Sequence, residues 1–94
     1  MNNYQDINYP HGKIIDVKGN VYYYQNGLLH RENGPAIEWF DGIKEYYIDN
    51  LLHREDGPAI EYPSGKSVWY YKGKKILVKS QKEFESYIKL IIFS

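Results

Sequence analysis

The chain has 94 residues, no cysteine, and twelve basic against twelve acidic side chains. This length predicts a single domain over 1–94, and the lack of cysteine excludes disulfides, thiolate metal sites and thiol nucleophiles. The first residues lack the basic flank and apolar run of a signal peptide. The longest apolar run, 90–93, falls far short of the ~20 residues that span a bilayer, so we expect a cytoplasmic protein without a membrane span.

Charge is divided unevenly along the chain. Residues 1–71 carry six Lys/Arg against ten Asp/Glu, a net charge of −4, and residues 72–94 carry six Lys against two Glu, a net charge of +4. One interpretation is that the basic segment is solvated or packs on the acidic body. The other is that the acidic body forms a surface for a basic partner.

Residues 1–12 form a lead-in in which Asn, Pro and Gly interrupt any periodic pattern. From residue 13 a hairpin pattern begins, with strands predicted at 14–17 and 21–25 around a turn at 18–20. Asn26-Gly27 follows, and this dipeptide favours a tight turn because both residues tolerate positive φ. We interpret 13–27 as a degenerate first copy of the unit that follows.

That unit occurs twice, at 28–50 and 51–73. Leu28 to Glu38 reads LLHRENGPAIE, and Leu51 to Glu61 reads LLHREDGPAIE, with 12 identities over the 23 aligned positions. Self-similarity at a fixed spacing of this length indicates a repeat protein. Strands rich in β-branched and aromatic residues are predicted at 36–40, 44–48, 59–62 and 67–71, with a terminal strand at 75–79 within the segment 74–79.

The last segment, 80–93, changes to a helical pattern. Ser80 and Glu83 form a capping box, and the apolar residues after them follow the spacing of one helix face: Phe84, Tyr87, Ile88 and Ile91. Repeat arrays expose an apolar end that terminal caps cover. The sequence therefore predicts a mainly β fold, an elongated antiparallel sheet of about three stacked β-hairpin repeats with a C-terminal capping α-helix.

The loop of each copy has a recognisable chemistry. Asn33-Gly34 and Asp56-Gly57 predict tight turns with positive φ, and the alanines that follow each Gly-Pro pair allow neighbouring units to approach closely. Arg31 and Arg54 can stack on aromatic rings or pair with the glutamate seven positions later.

His30 and His53 recur in identical surroundings, so an enzyme is one alternative. A hydrolase or nuclease could use the two imidazoles as general base or metal ligands. However, no third ligand has a defined spacing, no serine lies in a nucleophile motif, and no glycine-rich phosphate loop is present. We therefore predict a non-enzymatic protein without cofactor or metal, in which the histidines hydrogen-bond between repeats.

Two aromatic ladders are predicted, one on each side of the sheet. Tyr23, Tyr46 and Trp69 occupy equivalent positions, as do Tyr24, Tyr47 and Tyr70. One ladder is expected in the core. The other, with Trp39 or Tyr62 nearby, is expected to be a partly open strip that binds another protein, a second copy, or single-stranded nucleic acid by stacking. Zero net charge and the acidic body count against nucleic acid.

The segments 44–51 (KEYYIDNL) and 67–74 (SVWYYKGK) resemble the return strands of the variant class of MORN repeats. The phrase LHREDGPA is similar to repeats in proteins of large DNA viruses, phages and bacteria, and the similarity covers roughly 20–75. The resemblance implies a non-catalytic stacked-hairpin scaffold for contacts with macromolecules. It further implies a virus- or phage-encoded protein that engages and inhibits a host protein in the host cytoplasm.

The candidate partner-binding residues are the repeat-related aromatic, histidine and arginine side chains. They are His30, Arg31, Trp39, Tyr46, His53, Arg54, Tyr62 and Trp69.

Overall fold

The computed structural model describes residues 10–93. Within that range the fold is mainly β, with ten short strands in antiparallel pairs and a C-terminal helix, as predicted. The elements follow in chain order as β1 (Gly12–Ile15), β2 (Val21–Gln25), β3 (Leu28–Leu29), β4 (Ile37–Glu38), β5 (Lys44–Glu45), β6 (Tyr47–Ile48), β7 (Leu51–Leu52), β8 (Ile60–Glu61), β9 (Ser67–Tyr71), β10 (Lys74–Ile76) and α1 (Gln81–Ile92). Most of the predicted lead-in, residues 1–9, lies outside the described residues.

The sheet follows the order of the chain. Its strand order is β1-β2-β4-β5-β8-β9-β10, β3 pairs with β2, and β6 and β7 form a separate two-stranded pair. The predicted strand at 44–48 is therefore two strands that break at Tyr46. Lys44–Glu45 pairs with β4 and β8, whereas Tyr47–Ile48 pairs with β7, so the chain changes partners at this residue.

Several strand predictions differ from the structure in their bounds. The strands at 21–25 and 67–71 agree, whereas those at 14–17, 36–40, 59–62 and 75–79 are displaced or shorter: β1, β4, β8 and β10. Two further strands, β3 and β7, lie at the leucine pairs of the two copies, where no strand is predicted. A short strand still completes a hairpin here because a tight turn immediately precedes each leucine pair.

Two kinds of turn alternate along the array. Tight two-residue turns lie at Asn26-Gly27, Asp49-Asn50 and Lys72-Gly73, and both residues of each have positive φ, between 48° and 84°. This is the type I′ geometry that matches the twist of paired strands. The other hairpins have a glycine with φ of 90° to 98° at the end of the turn, at Gly19, Gly42 and Gly65.

Each tight turn is anchored to an earlier part of the chain. The second turn residue donates its backbone N–H to a carbonyl oxygen at 2.8 Å, from Gly27 to Pro10, from Asn50 to Leu29 and from Gly73 to Leu52. Pro10 therefore has the same role as the two leucines. The array begins before residue 13, and the predicted boundary of the lead-in at residue 12 is too late.

The core is concentrated beneath the helix. Trp69, Ile76, Phe84 and Ile88 pack as one buried cluster, in which the Phe84 side chain is fully buried and its ring centroid lies 6.5 Å from that of Trp69. The helix therefore covers the apolar end of the array. Of the predicted apolar stripe, Phe84 and Ile88 are buried, Tyr87 is half-buried, and Ile91 is exposed.

The capping box at the start of α1 forms with one shift. The Ser80 hydroxyl accepts from the backbone N–H of Glu83 at 3.2 Å, as predicted. The Glu83 carboxylate accepts from the backbone N–H of Lys79 at 2.8 Å, one residue before the cap. The box therefore fixes the entry of the chain into the helix as well as its first turn.

Candidate functional site

The loop of residues 31–34, which we call the first loop, is organised by one arginine. The Cζ atom of Arg31 lies 3.8 Å from the ring centroid of Tyr23. Its Nη1 donates to the Pro35 carbonyl at 3.1 Å and to the Glu38 carboxylate at 3.2 Å. The predicted alternatives, aromatic stacking and pairing with glutamate, are therefore both present, and together they fix the loop against the sheet.

The loop of residues 54–57, the second loop, has the same contacts 23 positions further on. The Cζ atom of Arg54 lies 3.9 Å from the ring centroid of Tyr46, and Nη1 donates to the Pro58 carbonyl at 3.1 Å and to Glu61 at 2.9 Å. Its Nε also donates to Asp56 at 2.9 Å. Burial lowers the pKa of the guanidinium, but the bonds to the two carboxylates outweigh this, so the pKa of Arg54 is raised and the group stays charged.

The glycines of the two loops have a different role from the predicted one. Gly34 and Gly57 are absent from the residues with positive φ, so the prediction of left-handed turns at these positions is wrong. Instead, a Cβ atom at Gly57 would lie 2.6 Å from Cζ of Arg54, and one at Gly34 would lie 2.9 Å from Cζ of Arg31. These glycines leave room for the folded-back guanidinium groups.

His30 fixes the tight turn at the end of its own copy, 28–50. Its Nδ1 accepts from the backbone N–H of Asp49 at 3.2 Å and also lies 3.0 Å from the Asp49 carboxylate. Its Nε2 lies 3.4 Å from the Glu32 carboxylate. The amide contact requires an unprotonated Nδ1, whereas the shorter contact with the Asp49 carboxylate requires a proton on Nδ1, so these two contacts belong to different tautomers of the ring.

His53 and His11 repeat this arrangement. Nδ1 of His53 accepts from the Lys72 backbone N–H at 2.8 Å, and its Nε2 lies 3.2 Å from Glu55. Nδ1 of His11 accepts from the Asn26 backbone N–H at 3.1 Å. The prediction that these histidines bond between repeats is wrong, because His30 and His53 each bond a tight turn of their own copy, 28–50 or 51–73. His11, which was predicted to lie in the irregular lead-in, makes the corresponding contact with the turn at Asn26.

An open groove of about 640 Å³ lies between the first and second loops. Its floor includes Tyr46 and Ile48. Its walls carry the carboxylates of Glu32, Glu55 and Asp56, whose side chains are 75%, 60% and 87% exposed. The guanidinium groups point inward to Glu38 and Glu61, and the carboxylates of the walls remain at the surface. The groove therefore has an apolar floor and an acidic rim.

Two tyrosines at the break in the sheet are held in their neutral form. Burial raises the pKa of Tyr46, although the nearby Arg54 charge opposes the shift. Burial and the hydrogen bond that Tyr47 donates to Glu45 at 2.7 Å raise the pKa of Tyr47 strongly. Both phenols are therefore hydrogen-bond donors at neutral pH, and neither serves as an anionic base there.

The structure brings together only part of the predicted site. Arg31, Tyr46, His53 and Arg54 line the groove, and His30 lies behind the first loop through its contact with Glu32. Trp39 and Tyr62 instead begin the three-residue turns, where each donates its backbone N–H across the turn, and they do not line the groove.

Trp69 is only 8% exposed and lies in the core against the helix. It occupies the position that corresponds to Tyr23 and Tyr46, but no third arginine loop covers it. Its Nε1 donates to Gln81 at 2.8 Å, and Gln81 in turn donates to the carbonyl of Glu55 at 2.9 Å. The helix thus takes the place of a further loop, and Trp69 is unavailable for direct contact.

Sequence reasoning missed the exposed carboxylates and the floor residue Ile48. The signal for Glu32 and Glu55 was present, because each directly follows an arginine whose charge a second glutamate already balances. The floor could not be predicted, since it depends on the break at Tyr46, which no local pattern specifies.

Within residues 10–93, no three His, Asp or Glu side chains form a group that could hold a metal ion. Over the same described range, the structure contains no helix with the length and hydropathy needed to cross a membrane. No protein-family model, curated protein sequence or solved structure matches the chain. The resemblance to MORN repeats therefore stays a prediction.

Proposed function

We propose that the chain is a non-enzymatic binding module whose groove between the two loops takes a positively charged segment of another protein. The observation that carries this proposal is the duplicated loop. Both arginines line the groove but are paired and only 31% and 21% exposed, whereas the carboxylates of the walls are 60% to 87% exposed, so the more exposed charge on the walls is negative. Such a surface attracts a basic segment and repels an acidic one.

The floor and rim match the two parts of a lysine or arginine side chain. The ring of Tyr46 and the side chain of Ile48 can pack against the aliphatic stem. The carboxylates of Glu32, Glu55 and Asp56 can accept from the charged head. Their exposure keeps the desolvation cost of such contacts low, so we expect moderate affinity and strong dependence on salt.

Preorganisation supports a binding role. Each loop is fixed by cation–π contact, by hydrogen bonds to a proline carbonyl and by an ion pair, while the adjacent histidine fixes the neighbouring turn. A partner would therefore order few side chains on binding, and less of the interaction energy would be lost to entropy.

The same contacts give less support to the alternatives. Both ring nitrogens of His30 and of His53 already have partners, which does not favour a general base for hydrolase or nuclease chemistry. Acidic walls repel phosphate, and Arg54 covers one face of the Tyr46 ring, which reduces the surface for base stacking. We further propose that the partner is a host protein, and that this chain is a viral or phage protein that binds and inhibits it.

Comparative capture from cell extract tests the proposal. The immobilised chain would be compared with the variant Glu32→Gln/Glu55→Gln/Asp56→Asn and with the control Asp41→Asn, an exposed carboxylate in the turn that ends at Gly42. We expect proteins retained by the wild-type chain and by the control to be lost with the triple variant, and to be released by about 0.5 M salt. Identical sets of retained proteins from all three chains would contradict the proposal.

A further inference from the structure

The C-terminal part of the molecule carries positive charge that pairs with no carboxylate among the described residues. The ion pairs among residues 10–93 all involve arginine or histidine, and none involves lysine. The two glutamates of this segment are engaged locally, Glu83 with the Lys79 backbone and Glu85 with Gln81. Five exposed lysines therefore form what we call the basic end: Lys74, Lys75, Lys79, Lys82 and Lys89.

Exposed apolar side chains lie in the same segment as these lysines. Leu77, Leu90 and Phe93 are 87%, 70% and 85% exposed. An open, mostly apolar depression beside α1 is lined by Val78, Tyr87 and Leu90 among others. Apolar side chains bordered by charge of one sign are characteristic of interaction surfaces. The predicted alternative in which the basic segment packs on the acidic body of its own chain is not seen as ion pairs among the described residues.

We propose that the basic end of one molecule docks on the groove between the two loops of a second copy. A second copy fits because the two regions are complementary in charge. Residues 72–94 carry a net charge of +4, residues 1–71 carry −4, and the whole chain is neutral. Copies of a chain with zero net charge do not repel one another, so separated regions of opposite charge favour association.

The two surfaces of such a contact differ, and this determines the kind of assembly. A pair leaves one groove and one basic end unused, so the contact can add further copies into a ring or filament. It also places lysines where the proposed basic partner would bind. Self-association would therefore compete with that partner and keep grooves occupied until the partner is present.

The inference rests on the proposed function in one respect, because it requires that the groove bind cationic side chains. Sedimentation equilibrium of the full chain at about 200 µM, in about 20 mM and about 500 mM NaCl, gives the first test. We expect a weight-average mass about twice the 11.2 kDa of the monomer at low salt, and the monomer mass at high salt. A monomer under both conditions would overturn the inference.

A charge-swap pair gives the sharper test. The basic-end variant Lys75→Glu/Lys79→Glu/Lys82→Glu and the groove variant Glu32→Lys/Glu55→Lys should each be monomeric at low salt. Their 1:1 mixture should associate again, because the groove of the first variant and the basic end of the second are unaltered. The two reversed surfaces are also opposite in charge, so the mixture can contain species larger than a heterodimer. Continued self-association of either variant, or no association in the mixture, would overturn the inference.

Single substitutions keep the test valid if a multiple variant fails to fold. Lys79→Glu alters one exposed lysine, and Glu32→Lys alters a carboxylate whose side-chain contact is at 3.4 Å, with His30. Each should lower the association constant at least about threefold at low salt. No change in either would count against the contact.

Lipid vesicles test whether the basic end binds a membrane instead of a second copy of the chain. Co-sedimentation of the chain with phosphatidylcholine–phosphatidylserine vesicles, without self-association in their absence, would assign the basic end to an anionic lipid surface and overturn the inference. Failure of the two proposals is distinguishable. Capture that depends on the groove, together with a chain that stays monomeric, refutes only the self-association, whereas association without any such capture refutes only the external partner.

Discussion

At the scale of single residues, the loops depend on the space that glycine leaves for arginine. A Cβ atom on Gly34 or Gly57 would lie 2.9 Å or 2.6 Å from Cζ of the loop arginine, too close for ordinary contact, and the φ angles of both glycines are not positive. Glycine is required here by a close approach of a side chain, and backbone strain does not explain it. The stacked and paired arginine is therefore the feature that sets the loop conformation.

The stability cost of Gly57→Ala should therefore depend on Arg54. The substitution should destabilise the wild-type chain by about 1–2 kcal/mol, because the new methyl group displaces the guanidinium from Tyr46 and Glu61. In an Arg54→Met background most of that cost should disappear, a coupling of about 1 kcal/mol that urea unfolding can measure.

Gly65→Ala is the matched control for this cycle. Its φ of +97° makes alanine strained, but no atom lies within 4 Å of the added Cβ, so the cost should be equal in both backgrounds. An equal cost of Gly57→Ala in both backgrounds would show that the glycine serves the backbone instead.

A second prediction at this scale concerns the histidines as acceptors. The Asn side chain places an oxygen near the position of Nδ1, whereas Leu places no acceptor there. Since both lose the ring that contacts Tyr71, His53→Leu should be less stable than His53→Asn by about 1 kcal/mol, the net value of one hydrogen bond.

Urea unfolding measures that difference, and amide hydrogen exchange at Lys72 locates it. Faster exchange of the Lys72 amide in His53→Leu than in His53→Asn is the expected result. Equal stability and equal exchange in the two variants would mean that the bond from Lys72 to Nδ1 does not contribute.

At the scale of elements, the helix is the cap that replaces a missing loop. Gln81 and Phe84 cover Trp69 as Arg31 and Arg54 cover the tyrosines at the equivalent positions. The start of the helix should therefore contribute to the stability of the array. Ser80→Ala should cost about 1 kcal/mol, because it removes the acceptor for the Glu83 amide.

Ser86→Ala provides the control, since Ser86 is exposed within the same helix. Alanine favours the helix interior, so this variant should unfold at an equal or slightly higher urea concentration. A loss of stability in Ser86→Ala that matches the loss in Ser80→Ala would contradict the capping role.

The elements also show what sequence can and cannot predict. The helix and both kinds of turn were predictable because their signals are local: a capping box, an apolar stripe and turn dipeptides such as Asn26-Gly27. The strand bounds were not, because a two-residue strand such as Leu51–Leu52 exists only through its pairing with β6. The site was half predictable, since the recurrence of arginine and histidine is visible in sequence and the outward direction of Glu32 and Glu55 is not.

At the scale of the whole molecule, the number of loops determines the number of grooves. The first unit lacks the loop segment, two units carry it, and Gln81 at the start of the helix bonds to the second loop from the far side. Two loops enclose one groove, and a further unit before the helix would enclose another. The array should accept such a unit because each hairpin contacts only the hairpins next to it.

A chain with one more copy of residues 51–73 inserted after Gly73 should therefore fold and contain two grooves. The linear basic peptide acetyl-(Lys-Ala-Ala) repeated about four times, titrated by calorimetry at low salt, should bind with about twice the stoichiometry of the wild-type chain. If the chain with the inserted copy folds but binds the peptide with unchanged stoichiometry, peptide binding does not depend on the paired loops.

The most direct test of the central claim is a heteronuclear NMR titration of the ¹⁵N-labelled chain with the same basic peptide and with its glutamate counterpart. We predict saturable shifts of the backbone amides of Glu32, Gly34, Tyr46, Glu55 and Gly57 with the basic peptide, and no shifts there with the acidic one. Shifts confined to the turns at Asp41 and Ser64, or equal responses to the two peptides, would contradict the assignment of function to the paired loops.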